Sequence, residues 1–273
     1  MPSSTTSAAP TGALVNHSPW AINRRVISAL FLREMLTRYG RNNLGFLWLF
    51  IEPMLFTLVV VGIRTITRSA YDGSIPMIAF AVTGWPSAML WRNMPSRCMG
   101  ALKANRTLLV HRQVKVVDIF ITRILLEQMA TTTSFIAISL GLFAAGWLMP
   151  PENVLEVIGG WLLLGWFGGG LALILGPLSE RYELVAHFWR PTMYLLLPLS
   201  GVAFVVDALP HSVQKIAMWF PMLNAIEYLR DGWFGSLFHA HYDIGYVITF
   251  NLCLTFVGLS LVRQVGQVEQ SDE

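Results

Sequence analysis

The sequence predicts an all-α integral membrane protein: six transmembrane helices, an N-terminal amphipathic interface helix and a re-entrant helix pair on the outer side before the last span. Three observations predict it. Of the 273 residues, 54% are hydrophobic and only 13% charged, whereas a soluble domain carries roughly 25% charged residues. Charge-free runs at 73–91, 128–151, 157–179 and 244–262 each reach the roughly 18 residues needed to cross about 30 Å of hydrocarbon. Lysine and arginine are divided unevenly among the connections. Ten Trp and 16 Phe give the chain ample apolar surface to order itself, which excludes disorder. At about 20 residues per span, this length leaves little for a separate soluble domain. A single transmembrane domain over 21–263 is expected.

Residues 1–20 are rich in Ser, Thr, Ala and Pro and lack lysine, arginine and an apolar core. They read as a disordered cytoplasmic tail and do not resemble a signal peptide. In 21–41, Ile22, Val26, Ala29 and Leu30 recur at helical spacing while Arg24, Arg25 and Arg38 point elsewhere, the pattern of an amphipathic helix on the membrane surface. Arg33 falls on the apolar side of that pattern. The spans are expected at about 44–63, 73–92, 120–148, 156–178, 186–206 and 243–262, followed by a tail over 264–273. The first carries Glu52 and Pro53, and the fifth carries Arg190 and Pro198. Both remain spans, because a charge near a helix end can snorkel and neighbouring helices can satisfy backbone groups freed by proline.

With both termini inside, fourteen of the 19 lysines and arginines fall on the inner side and four on the outer, which sets the orientation as N-in and C-in. Segment 206–241 is not an ordinary loop. It contains an eleven-residue charge-free run at 216–226 with Met218, Trp219, Phe220 and Met222, too short to span and too apolar for water. A re-entrant helix pair fits, punctuated by Pro210 and Pro221 and turned back by Gly232 and Gly235; an interfacial helix lying flat is the alternative.

The chemistry classes narrow quickly. A net charge of +3 does not call for nucleic acid. Two cysteines, Cys98 and Cys253, offer neither a disulfide framework nor a Cys-based metal site. All six histidines lie in connections or at span ends, so no deep Ser and His pair exists for an intramembrane protease. His239, His241 and Asp243 stand close together, but without further ligands they carry no metal assignment. Of the lysines, Lys103, Lys115 and Lys215, none follows glycine, so the phosphate-wrapping P-loop pattern is absent. Any nucleotide-driven transport needs its motor in another polypeptide. An ion-coupled carrier would need ionisable groups near the midplane, where Glu52 and Glu127 are the candidates. Arg123 stands four residues before Glu127 and can pair with it on one helix face.

Over nearly its whole length the sequence resembles a known family. The run at 37–53, TRYGRNNLGFLWLFIEP, is similar to the first-span signature of the inner-membrane permeases of capsular polysaccharide exporters, a branch of the type 2 ABC exporters. Two further blocks agree in order. One is the connection with Ala104, Asn105, Arg106, Leu108, Leu109, Gln113, Val114 and Asp118, leading into Arg123, Leu125, Leu126 and Glu127. The other is the outer segment at 220–235, FPMLNAIEYLRDGWFG. Departures are local: His111 and Arg112 replace an expected aromatic and proline, and Pro86 and Ser87 follow Trp85 where Pro and Trp are usual. The resemblance implies a half-transporter of the bacterial inner membrane that forms a homodimer and binds two copies of a separate ATPase. It implies no cofactor in this chain, with ATP and Mg in the ATPase. It also implies export of a lipid-linked capsular polysaccharide toward a periplasmic adaptor and an outer-membrane exporter. Export of another lipid-linked glycan, such as an O-antigen or teichoic acid, is the alternative within transport.

Candidate sites follow. Arg24, Arg25, Arg33, Arg38 and Arg41 before the first span, with Arg92 and Arg97 closing the second, are expected to hold an anionic lipid-linked glycan at the entrance. Lys103, Arg106, Leu108 and Leu109 lie in the longest inner connection, where a short helix is expected to dock into the ATPase. Trp85, Trp91, Trp161, Trp166, Tyr194 and Phe204 offer stacking faces to sugar rings, with packing or interface anchoring the alternative for each. In the outer segment, Trp219, Phe220, Leu223, Glu227 and Arg230 are the candidates for an apolar gate facing the periplasm. Glu227 and Arg230, three apart, are expected to pair locally, with Asp231 competing for the arginine.

Overall fold

A helix that crosses a bilayer must satisfy every backbone polar group itself, and the chain meets this with helices alone among the described residues. The computed structural model describes residues 19–39, 76–109 and 114–271, with single helical positions at 51, 55, 58, 59 and 62. The expected first span at 44–63 therefore lies essentially outside the described residues, as do Arg41, Glu52, residues 1–18 of the tail and the side chains of Arg38 and Leu108. In chain order the helices are α1 (Pro19–Tyr39), α2 (Met77–Cys98), α3 (Arg106–Leu109), α4 (Val116–Ala144), α5 (Val154–Arg181), α6 (Glu183–Leu199), α7 (His211–Ala217), α8 (Pro221–Phe234) and α9 (Ile244–Ser271).

Local chemistry sets the boundaries. The Asp118 carboxylate accepts the Lys115 amide at 3.0 Å and starts α4, and the Asn153 side chain accepts from the Leu155 amide at 3.1 Å and starts α5, as N-terminal caps do. Gly146 at φ 74° and Gly201 at φ 78° stop α4 and α6 in the left-handed region that glycine tolerates. These stops correct the expected spans. Helix α4 covers 116–144 rather than 120–148, and α6 ends at Leu199 rather than 206. Helix α2 runs on to Cys98, past the expected end at 92, and Arg92 is buried within it. Helix α9 continues to Ser271 through most of what the sequence suggested was a tail. The stretches Val116–Ala144, Val154–Arg181 and Ile244–Gln267 are long and apolar enough to cross a membrane.

Helix α5 occupies the centre: 61% of its apolar stretch is buried, against 17% for α9. It packs against α2, α8 and α9, and its glycines allow the approach. A Cβ on Gly160 would lie 2.8 Å from the Leu229 amide nitrogen of α8, one on Gly168 would lie 2.7 Å from the Trp91 Cα of α2, and one on Gly170 would lie 2.9 Å from the Leu254 Cβ of α9. Small residues serve helix packing in membranes in this way, because lipid gives no hydrophobic drive to pair and close van der Waals contact must supply it. Aromatic packing fills the remainder: Trp161 stacks on Phe135 at 4.5 Å and 11°, and Trp91 meets Phe167 at 6.1 Å.

The N-terminal helix departs from the expected surface helix. Phe31 and Met35 pack on Leu126 and Ala130 of α4, yet Leu32 and Leu36 are exposed. Apolar side chains thus occur on more than one side of α1, and the helix is docked on the bundle.

The glycine contacts give a direct test by thermal unfolding of the detergent-solubilised protein. Gly160→Ala meets backbone atoms that cannot move aside, so a loss of about 1–3 kcal/mol is expected. Gly141→Ala, with nothing within 4 Å of the added carbon, is expected to be neutral or to stabilise by up to about 1 kcal/mol through helix propensity.

Candidate functional site

Charged side chains gather at one end of the bundle, where α1, the end of α2, the turn Lys103–Asn105 and the start of α4 meet. They pair across helices. Arg123 Nε lies 3.0 Å from Glu34 Oε1, and its Nη1 donates to the Arg97 carbonyl at 2.8 Å. Arg97 Nε lies 3.5 Å from Glu127 Oε2. Arg33 Nη1 donates to Asn105 Oδ1 at 2.9 Å. The expected pairing of Arg123 with Glu127 along one helix face is therefore replaced by two pairs between elements. The cross-element partners approach from α1 and α2, so each acid is shared with a neighbouring helix. These groups enclose a cavity of about 330 Å³ lined by Arg33, Glu34, Ser96, Arg97, Asn105 and Arg123, among others.

Of the entrance arginines, Arg33 and Arg97 thus share one cavity. Arg24 and Arg25 are exposed on the first part of α1. Arg92 is not on an open surface: it is 8% exposed, and its guanidinium lies 5.3 Å from the ring centre of Tyr194 on α6. The segment expected to meet an ATPase is a turn followed by the single-turn helix α3. The Leu102 amide donates to Glu180 Oε1 at 2.8 Å, and Asn105 Nδ2 donates to the Ala101 carbonyl at 2.9 Å. Lys103 and Arg106 stay exposed and Leu109 half-buried. The Lys103–Glu183 ion pair at 3.5 Å is exposed on both sides and contributes little in water.

The aromatic candidates divide. Trp91 and Trp161 are buried in the core, and the Trp161 Nε1 donates to Thr132 Oγ1 at 2.8 Å, so both are packing residues and not channel faces. Trp85 and Phe204 are half-buried. Trp166 and Tyr194 keep exposed faces, Trp166 while donating from Nε1 to Thr255 Oγ1 at 2.8 Å.

At the opposite end, α7 and α8 form the expected helix pair, but with a different interior. Arg230 and Glu227 are fully buried and reach outward from α8 to other elements. Arg230 Nη1 donates to the Gly201 carbonyl at 2.7 Å and to the Phe204 carbonyl at 3.2 Å, with its guanidinium 3.8 Å over the Phe80 ring. Glu227 accepts from the Val206 amide at 3.4 Å and the His241 amide at 3.3 Å. Asp231 accepts from the Tyr242 hydroxyl at 2.9 Å. Burial and that bond push the Tyr242 hydroxyl up to about 12, so it remains a donor at neutral pH. Arg230 is also the principal positive charge acting on Glu227, so the two interact along α8 as expected, while their hydrogen bonds go to backbone carbonyls and amides in the flanking turns. Leu223 is fully buried, Phe220 half-buried and Trp219 78% exposed. The apolar edge open to a partner is thus Trp219 with Ile216 and Val213. His241 Nε2 lies 3.2 Å from Asp207 Oδ1, and Asp243 caps the Tyr246 amide at 2.9 Å.

Sequence reasoning missed two groups. Glu34 was hidden as the lone acid among five arginines between 24 and 41, and that isolation was its signal. Asn251, a lone amide in the apolar run of the last span, donates to the Leu163 carbonyl at 3.0 Å and ties α9 to α5.

The Glu34–Arg123 pair can be tested by stability alone. Its side chains are only 13% and 11% exposed, so Glu34→Gln or Arg123→Gln breaks a largely buried charge-assisted contact and is expected to lower unfolding stability by about 2–3 kcal/mol. The swapped double variant, Glu34→Arg with Arg123→Glu, is expected to recover most of the loss. A swap no more stable than the sum of the single reversals contradicts the pairing.

Comparison with known proteins places this architecture. Residues 25–234 match the ABC-2 type transporter family. The chain is 39% identical over 247 residues to the capsule polysaccharide export inner-membrane protein BexB of Haemophilus influenzae, covering 90% of this chain and 93% of that protein. It is 40% identical over 247 residues to the capsule polysaccharide export inner-membrane protein CtrC of Neisseria meningitidis serogroup B, with the same coverage. It is 28% identical over 248 residues to the polysialic acid transport protein KpsM of Escherichia coli, covering 90% of this chain and 95% of that one. With helices throughout its described residues and a family match over most of its length, this chain belongs to the ABC-2 type transporter family.

Proposed function

We propose that this chain is the permease subunit of an ATP-driven exporter that moves lipid-linked capsular polysaccharide across the bacterial inner membrane. The observation that carries the reading is identity of 39–40% over 90% of the chain to capsule polysaccharide export inner-membrane proteins. The chain's own chemistry supports it: long apolar helices, a cluster of cations at one end, and no lysine placed to form a P-loop.

In this reading the domain spans 21–263, and six helices cross the membrane. One lies at 44–63, and the others are α2, α4, α5, α6 and α9. Both termini face the cytoplasm. Two copies form the permease, and two copies of a separate ATPase, which binds ATP and Mg, supply the motor. A periplasmic adaptor and an outer-membrane exporter continue the path. Arg24, Arg25, Arg33, Arg38, Arg41 and Arg97 attract the anionic end of the glycolipid, each cation near the surface contributing about 1 kcal/mol. Lys103, Arg106, Leu108 and Leu109 meet the ATPase. Force applied there reaches α1 through Arg33 on Asn105, and α4 through the contacts of Arg97 with Arg123 and Glu127. Trp166 and Tyr194 are the aromatic faces left for sugar rings. The α7–α8 pair re-enters from the periplasmic side, and its Trp219 edge closes the resting path.

The function is tested by replacing the gene in its host. Deletion is expected to abolish surface capsule while lipid-linked polymer accumulates inside, and the wild-type gene is expected to restore export. The Lys103→Glu, Arg106→Glu variant is expected to reduce surface polymer at least about tenfold by weakening a charged protein contact, with polymer synthesis unchanged. Normal capsule in the deletion strain contradicts the export role, and normal export in the double variant contradicts the coupling role alone.

A further inference from the structure

A second cavity, of about 400 Å³, opens where the start of α4 meets the last turns of α9. Val116, Val117, Leu259 and Val262 form its apolar wall, and Lys115 and Arg263 supply its cations. Among the described residues, no acidic side chain lines it. Asp118, beside Lys115, is buried with its carboxylate turned onto the Lys115 amide. Arg263 is exposed and has no ionic partner among the described residues. Along α9 the apolar wall continues into Phe256 and Leu252, which are 76% and 54% exposed. The cavity therefore combines a cationic mouth with an apolar strip that runs along the helix into the span.

From this arrangement we infer that the cavity is a binding site for an anionic phospholipid of the surrounding bilayer, with its phosphate on Lys115 and Arg263 and an acyl chain along Leu259, Phe256 and Leu252. Basic pockets between transmembrane helices at the cytoplasmic surface hold anionic headgroups in this way. Among the described residues that line the cavity, Gln267 alone carries an amide or hydroxyl side chain, and this lining of two cations and an apolar wall suits a phosphate diester with an acyl chain. The inference rests on the membrane placement proposed above, in which this end of α9 lies at the cytoplasmic surface.

The test is native mass spectrometry of the full chain in detergent, titrated with dioleoylphosphatidylglycerol and with dioleoylphosphatidylcholine. Phosphatidylglycerol is expected to bind about tenfold more tightly than phosphatidylcholine. Lys115→Gln with Arg263→Gln is expected to remove that preference, and the charge-keeping Lys115→Arg with Arg263→Lys to retain it. Equal binding of both lipids, or loss of preference in the charge-keeping variant, overturns the site. So does displacement of phosphatidylglycerol by the exporter's own lipid-linked glycan at equimolar concentration, because the cavity would then belong to substrate. Binding in detergent does not depend on sidedness. The membrane placement is checked separately, by labelling Gln267→Cys in intact cells with a membrane-impermeant maleimide; labelling from outside refutes the placement and leaves the lipid measurement standing.

Discussion

Helix α5 holds the centre of this molecule because it offers backbone rather than side chains to three neighbours. Gly160, Gly168 and Gly170 bring α8, α2 and α9 to within direct van der Waals contact. In a bilayer that closeness is itself the source of helix association. The position of α8 then determines where Arg230 and Glu227 reach. Arg230 crosses to the carbonyls at 201 and 204 and to Phe80, and Glu227 to the amides at 206 and 241. The helix pair is thereby tied to α2, to the turn after α6 and to the approach to α9, and its exposed apolar edge comprises Val213, Ile216 and Trp219.

Charge is used differently at the two ends. At the α7–α8 end, buried charges are fixed mainly by backbone groups, a rigid arrangement in which each lost contact leaves an unsatisfied buried group. At the basic end, acids and arginines pair between α1, α2 and α4 around an open cavity. The Glu34–Arg123 pair there is itself largely buried, so losing either partner is costly.

Much of this was legible in the sequence because composition and charge-free length report directly on the bilayer. The helices at 154–181 and 244–271 follow from apolar runs, and the helix pair follows from Pro210, Pro221 and Gly235 around a short apolar run. Partner choice was not legible. Spacing of four suggested a local pair for Arg123 with Glu127, whereas tertiary packing supplied Glu34 instead; the Glu227–Arg230 interaction along α8 holds, but spacing gave no sign of the carbonyls at 201 and 204 that Arg230 reaches. Spacing measures proximity along one helix and carries no information about which other helix packs against it. The same gap concealed the burial of Arg92 over Tyr194. Trp91 and Trp161 were ambiguous for a related reason: a ring that could stack on sugar stacks equally well on phenylalanine.

The central claim is that this chain provides the path and a separate ATPase provides the work. It is tested most directly by reconstituting the purified chain, with and without that ATPase, into liposomes carrying lipid-linked polysaccharide on the ATPase-accessible face, and following polymer appearance in the lumen. The account predicts lumenal polymer only when the chain, the ATPase and hydrolysable ATP are all present. Polymer movement by the chain alone, driven by an ion gradient without ATP, would contradict it.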